Sequence, residues 1–139
     1  MRWLTWALLS ALFAGLTAVL AKIGVSTINS NLATAIRTTV ILIFTWAIAL
    51  GTGGTSGLTD VSKQSWIFLV LSGLATGLSW LCYFRALQLG QVAKVAPIDK
   101  LSVVAAILLS ITFLGERLNL RGAIGAALIV SGAVVLALP

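Results

Sequence analysis

The chain has 139 residues, of which 60% are hydrophobic and only 9% are charged, and its mean hydropathy is +1.13. Charged residues make up about a quarter of an average soluble domain, so this composition excludes a water-soluble globular protein. The net charge of +6 does not indicate nucleic-acid binding, because the nine Lys and Arg residues are scattered singly rather than clustered on one face. We therefore expect a lipid bilayer to surround most of the chain.

Five apolar stretches follow one another with only short connectors between them. A helix rises about 1.5 Å per residue and the hydrocarbon core is about 30 Å thick, so roughly 20 residues make one crossing. The stretches lack period-2 alternation, which favours helices over a β-barrel. The sequence predicts an all-α integral membrane protein, a single domain over residues 1–139, with transmembrane helices at about 3–21, 32–50, 66–84, 92–114 and 122–138.

The first two predicted helices contain one ionisable residue between them, Arg37. Lys22 directly follows the first helix, and Asn29 begins an Asn-Ser-Asn run whose side chains can cap the second. Ionisable groups inside a span are costly, so Arg37 requires an explanation. Two roles are open to it: its side chain reaches to the interface, or it fixes the anionic group of a solute.

The third predicted helix carries a polar face and several aromatic rings. Trp80 can hold a cation or stack on a ring, as can its neighbour Tyr83. Aromatic residues near helix ends are typical of the interfacial belt, which is our interpretation of Trp3, Trp6, Trp66 and Phe84. Hydroxyl groups that recur at helical spacing and can hydrogen-bond a solute are those of Ser72, Thr76, Ser79 and Tyr83.

Glycines in the third and fifth helices predict close packing against another backbone. Gly73 and Gly77 form a small-xxx-small pair. Gly122, Gly125 and Gly132 share one face of the fifth helix with no ionisable group nearby. We assign this second face to packing between protomers.

The fourth predicted helix contains the only carboxylate near the membrane interior, Asp99, which is therefore the sole candidate proton carrier. Lys100 points about 100° away, toward a neighbour where it pairs with a carboxylate, binds an anionic substrate or reaches to the interface. If the helix begins at Pro97, Asp99 is an N-terminal acid and Lys100 is interfacial. If it begins near Val92, both charges lie deeper and a functional role is favoured. The predicted cavity wall consists of Asp99, Ser102, Ala106 and Ser110.

Metal binding and catalysis are not expected. The chain has no His and one cysteine, Cys82, so neither a metal cluster nor a nucleophile with its base can be assembled. No nucleotide-binding motif is present. We predict that the protein is not an enzyme and has no cofactor.

The segment RALQLGQVAKVAP, from Arg85 to Pro97, is followed by LGERL at Leu114–Leu118 and by the glycine-containing last helix. Together these resemble the C-terminal part of an EamA domain, the repeat unit of the drug/metabolite transporter superfamily. The resemblance in helix count and spacing covers essentially the whole chain. It implies export or exchange of small metabolites across the cell (inner) membrane. The related small multidrug resistance exporters depend on a glutamate in the first helix; residues 3–21 hold no carboxylate, so exchange of lipophilic cations is disfavoured.

Most members of that superfamily resemble two such domains in tandem, with ten helices, so this chain resembles one half of an inverted-repeat transporter. Basic residues are nearly balanced across the membrane, so the chain can insert either way up. We predict an antiparallel homodimer; a parallel oligomer of one orientation and a heteromer with another small membrane protein are the alternatives. Four basic residues lie on the side of the N-terminus and three to five on the other: Arg2, Lys63, Arg117 and Arg121 against Lys22, Arg85 and Lys94, with Arg37 and Lys100.

These observations predict a secondary transporter of small polar metabolites that works by alternating access. Lys22, Arg37 and Lys100 outnumber Asp99 near the predicted cavity, which favours an anionic or zwitterionic solute such as an amino acid or organic acid. Two alternative functions are a subunit of a lipid-linked sugar flippase and a non-transporting membrane scaffold or accessory subunit.

Overall fold

The computed structural model describes residues 2–138, with side chains from residue 3 onward, and no strand occurs in this range. The side chain of Arg2, counted in the charge balance above, lies outside the described part. The α-helices are α1 (Arg2–Gly24), α2 (Ser30–Gly51), α3 (Lys63–Leu89), α4 (Val92–Asp99), α5 (Ser102–Leu109) and α6 (Leu120–Ala137).

Five segments are long and apolar enough to cross a membrane: Trp3–Gly24, Ser30–Gly51, Lys63–Leu89, Val92–Leu114 and Leu120–Ala137. The predicted helical class and the five spans are therefore confirmed. Their cause is local, because a backbone inside lipid can satisfy its N–H and C=O groups only within its own helix.

Two asparagines set the starts of α2 and α6. The Asn29 side chain accepts a hydrogen bond from the backbone N–H of Asn31 at 2.8 Å, so the predicted cap of α2 is confirmed. The Asn119 side chain does the same for the backbone N–H of Gly122, also at 2.8 Å. Each cap satisfies one of the N–H groups that the first helical turn leaves without a partner.

Helix α3 has 27 residues and continues to Leu89, beyond the predicted end at Phe84. The prediction was wrong at this end because it read Arg85 as the start of a basic connector. A single Arg and Gln do not stop a helix, since both residues have high helix propensity. The helix instead stops just before Gly90, a poor helix former.

The fourth span is not one uniform helix but three pieces: α4, α5 and a π-helical turn, Ser110–Leu114. Pro97 has no N–H to donate back along α4, which weakens the regular ladder. Just after it the chain tightens: Lys100 N–H donates to Pro97 O at 3.1 Å and Leu101 N–H to Ile98 O at 3.0 Å. Of the two starts considered, the structure has the earlier one, at Val92.

Glycine ends this span. Gly115 has φ +68°, in the left-handed region that L side chains adopt only with strain, and it follows directly on the π-helical turn. The chain can therefore leave the span abruptly and reach α6 through a short connector.

The chain divides into two compact units. Residues 21–88 form the α2–α3 unit, and residues 1–20 with 89–139 form the α4–α6 unit. In the α2–α3 unit the first part of α2 contacts the last part of α3, so these helices are antiparallel. In the α4–α6 unit Lys94, near the start of α4, donates to the carbonyl of Leu138, just after the end of α6, at 3.1 Å. These two helices are antiparallel as well.

Candidate functional site

Arg37 lies about two turns inside α2 and is only partly exposed. Its guanidinium carbon is 4.2 Å from the centre of the Trp80 ring and 5.5 Å from the centre of the Phe84 ring. A cation above an aromatic face is attracted by the ring quadrupole, by about 0.5–1 kcal/mol at exposed sites and about 2 kcal/mol when desolvated. The rings thus hold the charged group inside the span.

The two rings share one face of α3 because they are four residues apart, a little more than one turn. Phe84 is 2% exposed, so our assignment of this residue to the interfacial belt was wrong. Tyr83 packs edge-on against Phe84, with ring centres 6.5 Å apart at 64°, and interacts electrostatically with Arg37. Trp80 and Phe84 therefore lie against one cation of α2, and Tyr83 packs beside Phe84.

No carboxylate in the described part of the chain lies within 4 Å of the Arg37 guanidinium. Its planar N–H fork makes no hydrogen bond to the described residues and contacts the ring faces instead. A guanidinium fork matches the geometry of a carboxylate or phosphate. Arg37 can therefore accept an anion from outside the chain.

Lys22 and Gln88 lie beyond the rings, toward the connector between α1 and α2. The Lys22 ammonium donates to the carbonyl of Leu87 in the last turn of α3, at 2.5 Å. The Gln88 amide donates to the carbonyls of Val25 and Ile28, at 3.1 and 2.7 Å. Lysine near a helix C-terminus interacts favourably with the carbonyls left unpaired there. This arrangement places Lys22 at a helix end rather than beside the Arg37 fork.

The hydroxyl groups near Arg37 bond to their own helix. Thr34 donates to Ser30 O at 2.9 Å and Thr38 donates to Thr34 O at 2.8 Å. On α3, Thr76 likewise donates to Ser72 O at 2.9 Å. Ser72, Thr76 and Ser79 are all exposed. The structure thus brings Trp80 and Tyr83 of the predicted α3 residues to Arg37, and leaves Ser72, Thr76 and Ser79 on an outer surface.

The α4–α6 unit holds the other predicted polar residues. Asp99 and Lys100 pair with each other, with Nζ and Oδ2 3.3 Å apart, so the expectation that Lys100 points to a different neighbour was wrong. The long lysine stem allows its ammonium to bend back across the backbone to the adjacent carboxylate. Ser102 is exposed, whereas the Ser110 hydroxyl donates to Ile107 O at 3.0 Å.

A groove of about 430 Å³ is lined by residues of α4 and α6 in this unit. Its walls are apolar apart from Lys100, and include Pro97, Leu128 and Gly132. Among residues 2–138 there is no group of three or more His, Cys, Asp or Glu residues that could hold a metal.

The predicted packing glycines do not make close contacts inside the chain. A Cβ atom added at Gly73, Gly77, Gly125 or Gly132 would meet no atom within 4 Å, the helix's own backbone aside. At Gly122 it would meet only the flexible end of Leu118 and the Asn119 cap closely. No described part of the chain packs closely against Gly73, Gly77, Gly125 or Gly132.

Phe84, Leu87 and Gln88 were missed by the sequence reasoning. All three lie in or just before the part of α3 that was taken for a connector. Leu87 is fully buried, with 0% exposure. The signal that could have found them is the helical spacing of Trp80, Phe84 and Leu87, which continues the apolar face through Arg85.

Comparison with known proteins identifies relatives of the whole chain. The profile of the EamA-like transporter family matches residues 1–138. An "Uncharacterized transporter in cobO 3'region" from Sinorhizobium sp is 56% identical over 135 residues, which cover 97% of this chain and 96% of the relative. "Uncharacterized transporter YxxF" from Bacillus subtilis strain 168 is 30% identical over 129 residues, or 91% of this chain but 40% of the relative. No solved structure matches the chain significantly.

Proposed function

Because the chain belongs to the EamA-like transporter family, we propose that it is a secondary transporter that exports or exchanges small polar metabolites across the cell (inner) membrane. The relatives described above carry transporter names, which supports the general activity. The five apolar spans supply the membrane-embedded frame that such an activity requires. Alternating access is the expected mechanism, since inverted-repeat transporters rock around a site near the bilayer midplane.

The Arg37 site carries the proposal of a solute class. An intramembrane arginine that rests on aromatic faces and has no described carboxylate partner keeps its charge available. The solute therefore carries a carboxylate or another planar anion, alone or together with an amino group. Amino acids and organic acids fit this description. The Asp99–Lys100 pair has no net charge, so it does not change the excess of positive charge that Arg37 provides.

A second, inverted copy of the chain is the proposed partner. The YxxF relative is much longer than the part that this chain matches, which leaves room there for a second unit of similar size. The nearly balanced basic residues permit both orientations. The glycines of α3 and α6 that make no close contacts inside the chain offer faces for another backbone. Ten helices in an antiparallel homodimer would complete the conduit.

Uptake into proteoliposomes tests this function. We expect purified protein to move or exchange labelled amino acids and organic acids, and Arg37→Gln to lower their initial rates at least tenfold. Arg37→Lys keeps the charge but loses the fork, so it should retain only part of the rate. Arg121→Gln, at the exposed start of α6, is the matched control and should transport as the unchanged protein does.

Substitutions of Trp80 distinguish the effect of its aromatic face from the effect of its size. Trp80→Phe keeps an aromatic face under the guanidinium, whereas Trp80→Leu removes it. We expect Trp80→Leu to weaken anion uptake by about 2- to 30-fold, the equivalent of about 0.5–2 kcal/mol of cation–π attraction, and Trp80→Phe to weaken it less. Transport of organic cations alone, or anion uptake unchanged in Arg37→Gln, would show that the proposed solute class is wrong.

A further inference from the structure

Burial in the α2–α3 unit is concentrated at one end. Every buried residue of this unit belongs to the last turn of α1, the connector after it, the first turns of α2 or the last turns of α3. From Ala35 to Tyr83 no described residue is buried. The buried set forms a plug, which we define as Ala21, Val25, Ser30, Ala33, Thr34, Phe84 and Leu87.

A network of hydrogen bonds joins the end of α3 to the α1–α2 connector beside the plug. The Gln88 amide nitrogen bridges two connector carbonyls, those of Val25 and Ile28. The Arg85 guanidinium donates to the Gln88 side-chain oxygen at 2.9 Å. An arginine can only donate, so this bond assigns the oxygen to Arg85 and turns the NH₂ group toward the carbonyls. Gln88 is thereby oriented from one side and fastens the connector on the other.

The plug and the Arg37 site share a side chain. Phe84 is part of the plug and also supports the guanidinium of Arg37, 5.5 Å from the ring centre. Leu87 and Gln88 follow Phe84 by one turn on the same helix. A movement of the end of α3 that withdraws Gln88 from the connector would therefore also shift the ring beneath Arg37.

We propose that Gln88, oriented by Arg85, is a positioning residue that closes the Arg37 site at the α1–α2 connector end, so that the plug and its polar network act as the gate on this side of the membrane. This inference rests on the proposed function, because a gate implies a solute that passes. Hydrogen bonds to part-buried carbonyls are individually weak in net contribution, so a transport cycle can break and remake them.

Cysteine labelling in lipid nanodiscs tests the gate without any need for transport. In a Cys82→Ser background, Val25→Cys places a nearly isosteric thiol in the plug, and Ser26→Cys places an exposed one beside it. We expect the first to react with a water-soluble maleimide much more slowly than the second. Adding Gln88→Met, which keeps the length but removes the donors, should raise the Val25→Cys rate about tenfold.

Two controls and a second test variant identify the cause of such a rise. Gln91→Met changes an exposed glutamine whose side chain makes no cap bond and should leave the rate unchanged. Ala133→Cys reports a buried site of the α4–α6 unit and should not respond to Gln88→Met. Arg85→Met leaves the amide but removes its orienting donor, and should give a smaller rise that can be measured even if Gln88→Met does not fold.

The gate is overturned if Val25→Cys reacts as fast as Ser26→Cys while Gln88 is intact, or if neither Gln88→Met nor Arg85→Met accelerates it. An equal acceleration at Ala133→Cys would also overturn it, because it would indicate general loosening. The proposed function fails separately, through unchanged anion uptake in Arg37→Gln, and that result leaves the labelling rates as they are.

Discussion

Arg37 shows how a charge inside a span is only partly compensated. Placing an arginine at the centre of a transmembrane helix costs about 2.5–3.5 kcal/mol on insertion scales. The attraction of the aromatic faces returns about 0.5–2 kcal/mol. The aromatic faces therefore offset only part of the insertion cost. They hold the guanidinium in place but do not neutralise its charge. A carboxylate at the same position would neutralise the guanidinium and compete with any solute anion, so the ring faces of Trp80 and Phe84 suit a binding role better.

Asp99 is the residue at which proton coupling is tested. In the described chain the other carboxylates, Asp60 and Glu116, lie in connectors, so Asp99 is the candidate carrier within a span. We expect Asp99→Asn to abolish any dependence of solute flux on an imposed pH gradient, since the amide cannot exchange a proton. Flux into proteoliposomes with and without the gradient is the measurement, with Asp60→Asn as the control. A mutant with the same gradient dependence as the unchanged protein would remove Asp99 from the mechanism.

Helix ends carry most of the polar contacts between elements. Lys94 of α4 reaches the carbonyl of Leu138, just after the end of α6, and Lys22 of α1 reaches that of Leu87 in the last turn of α3. In both cases an ammonium meets the negative end of a neighbouring helix's dipole. The lysines at these span ends therefore stabilise helix pairs as well as anchoring the chain at the interface.

Replacement of Lys94 tests this role at the level of one helix pair. We expect Lys94→Met to loosen the last turn of α6, because a lysine at a helix C-terminus is worth about 0.3–1 kcal/mol. Amide hydrogen exchange in nanodiscs should then be up to about fivefold faster at the end of α6 and unchanged in α2. Lys63→Met is the control, since Lys63 lies in the first turn of α3, where its charge opposes the dipole. Equal exchange at the end of α6 in both variants would contradict the role of Lys94.

For the whole molecule, the balance of basic residues determines which way the chain inserts. By the predicted topology four lie on the side of the N-terminus and three to five on the other, so we expect neither orientation to be strongly favoured. Both orientations together would provide the inverted pair that the proposed dimer needs.

We therefore expect a C-terminal reporter to be found on both sides of the membrane in cells. Reporters that are active on only one side, fused in parallel to the same chain, measure this. Ser56→Lys with Ser62→Lys adds two charges to the connector between α2 and α3 and should shift the chain toward one orientation. Lysine at Ser26 and Thr27, in the connector after α1, should shift it the opposite way. A uniform orientation of the unchanged chain would exclude the antiparallel dimer.

Hydropathy alone determined the helical class and the five spans, because length in lipid and local backbone pairing require nothing beyond the segment itself. The Asn29 cap could also be predicted from the sequence, because its hydrogen-bond partner is only two residues away. The break after Pro97 was not placed, and α3 was ended one turn early. Arg37, Trp80 and Tyr83 were identified as polar or aromatic candidates on separate helices, but nothing in the sequence joined them.

Only the tertiary structure decided that Arg37 rests on Trp80 and Phe84 and that Gln88 fastens the connector at Val25. These spans are apolar on nearly every side, so no amphipathic stripe indicates which face of a helix is turned inward. Which side chains meet then depends on the rotation of each helix about its axis and on where each helix stops. Both are determined by packing between helices that are distant in sequence. That packing produces no periodic pattern of residues from which it could be predicted.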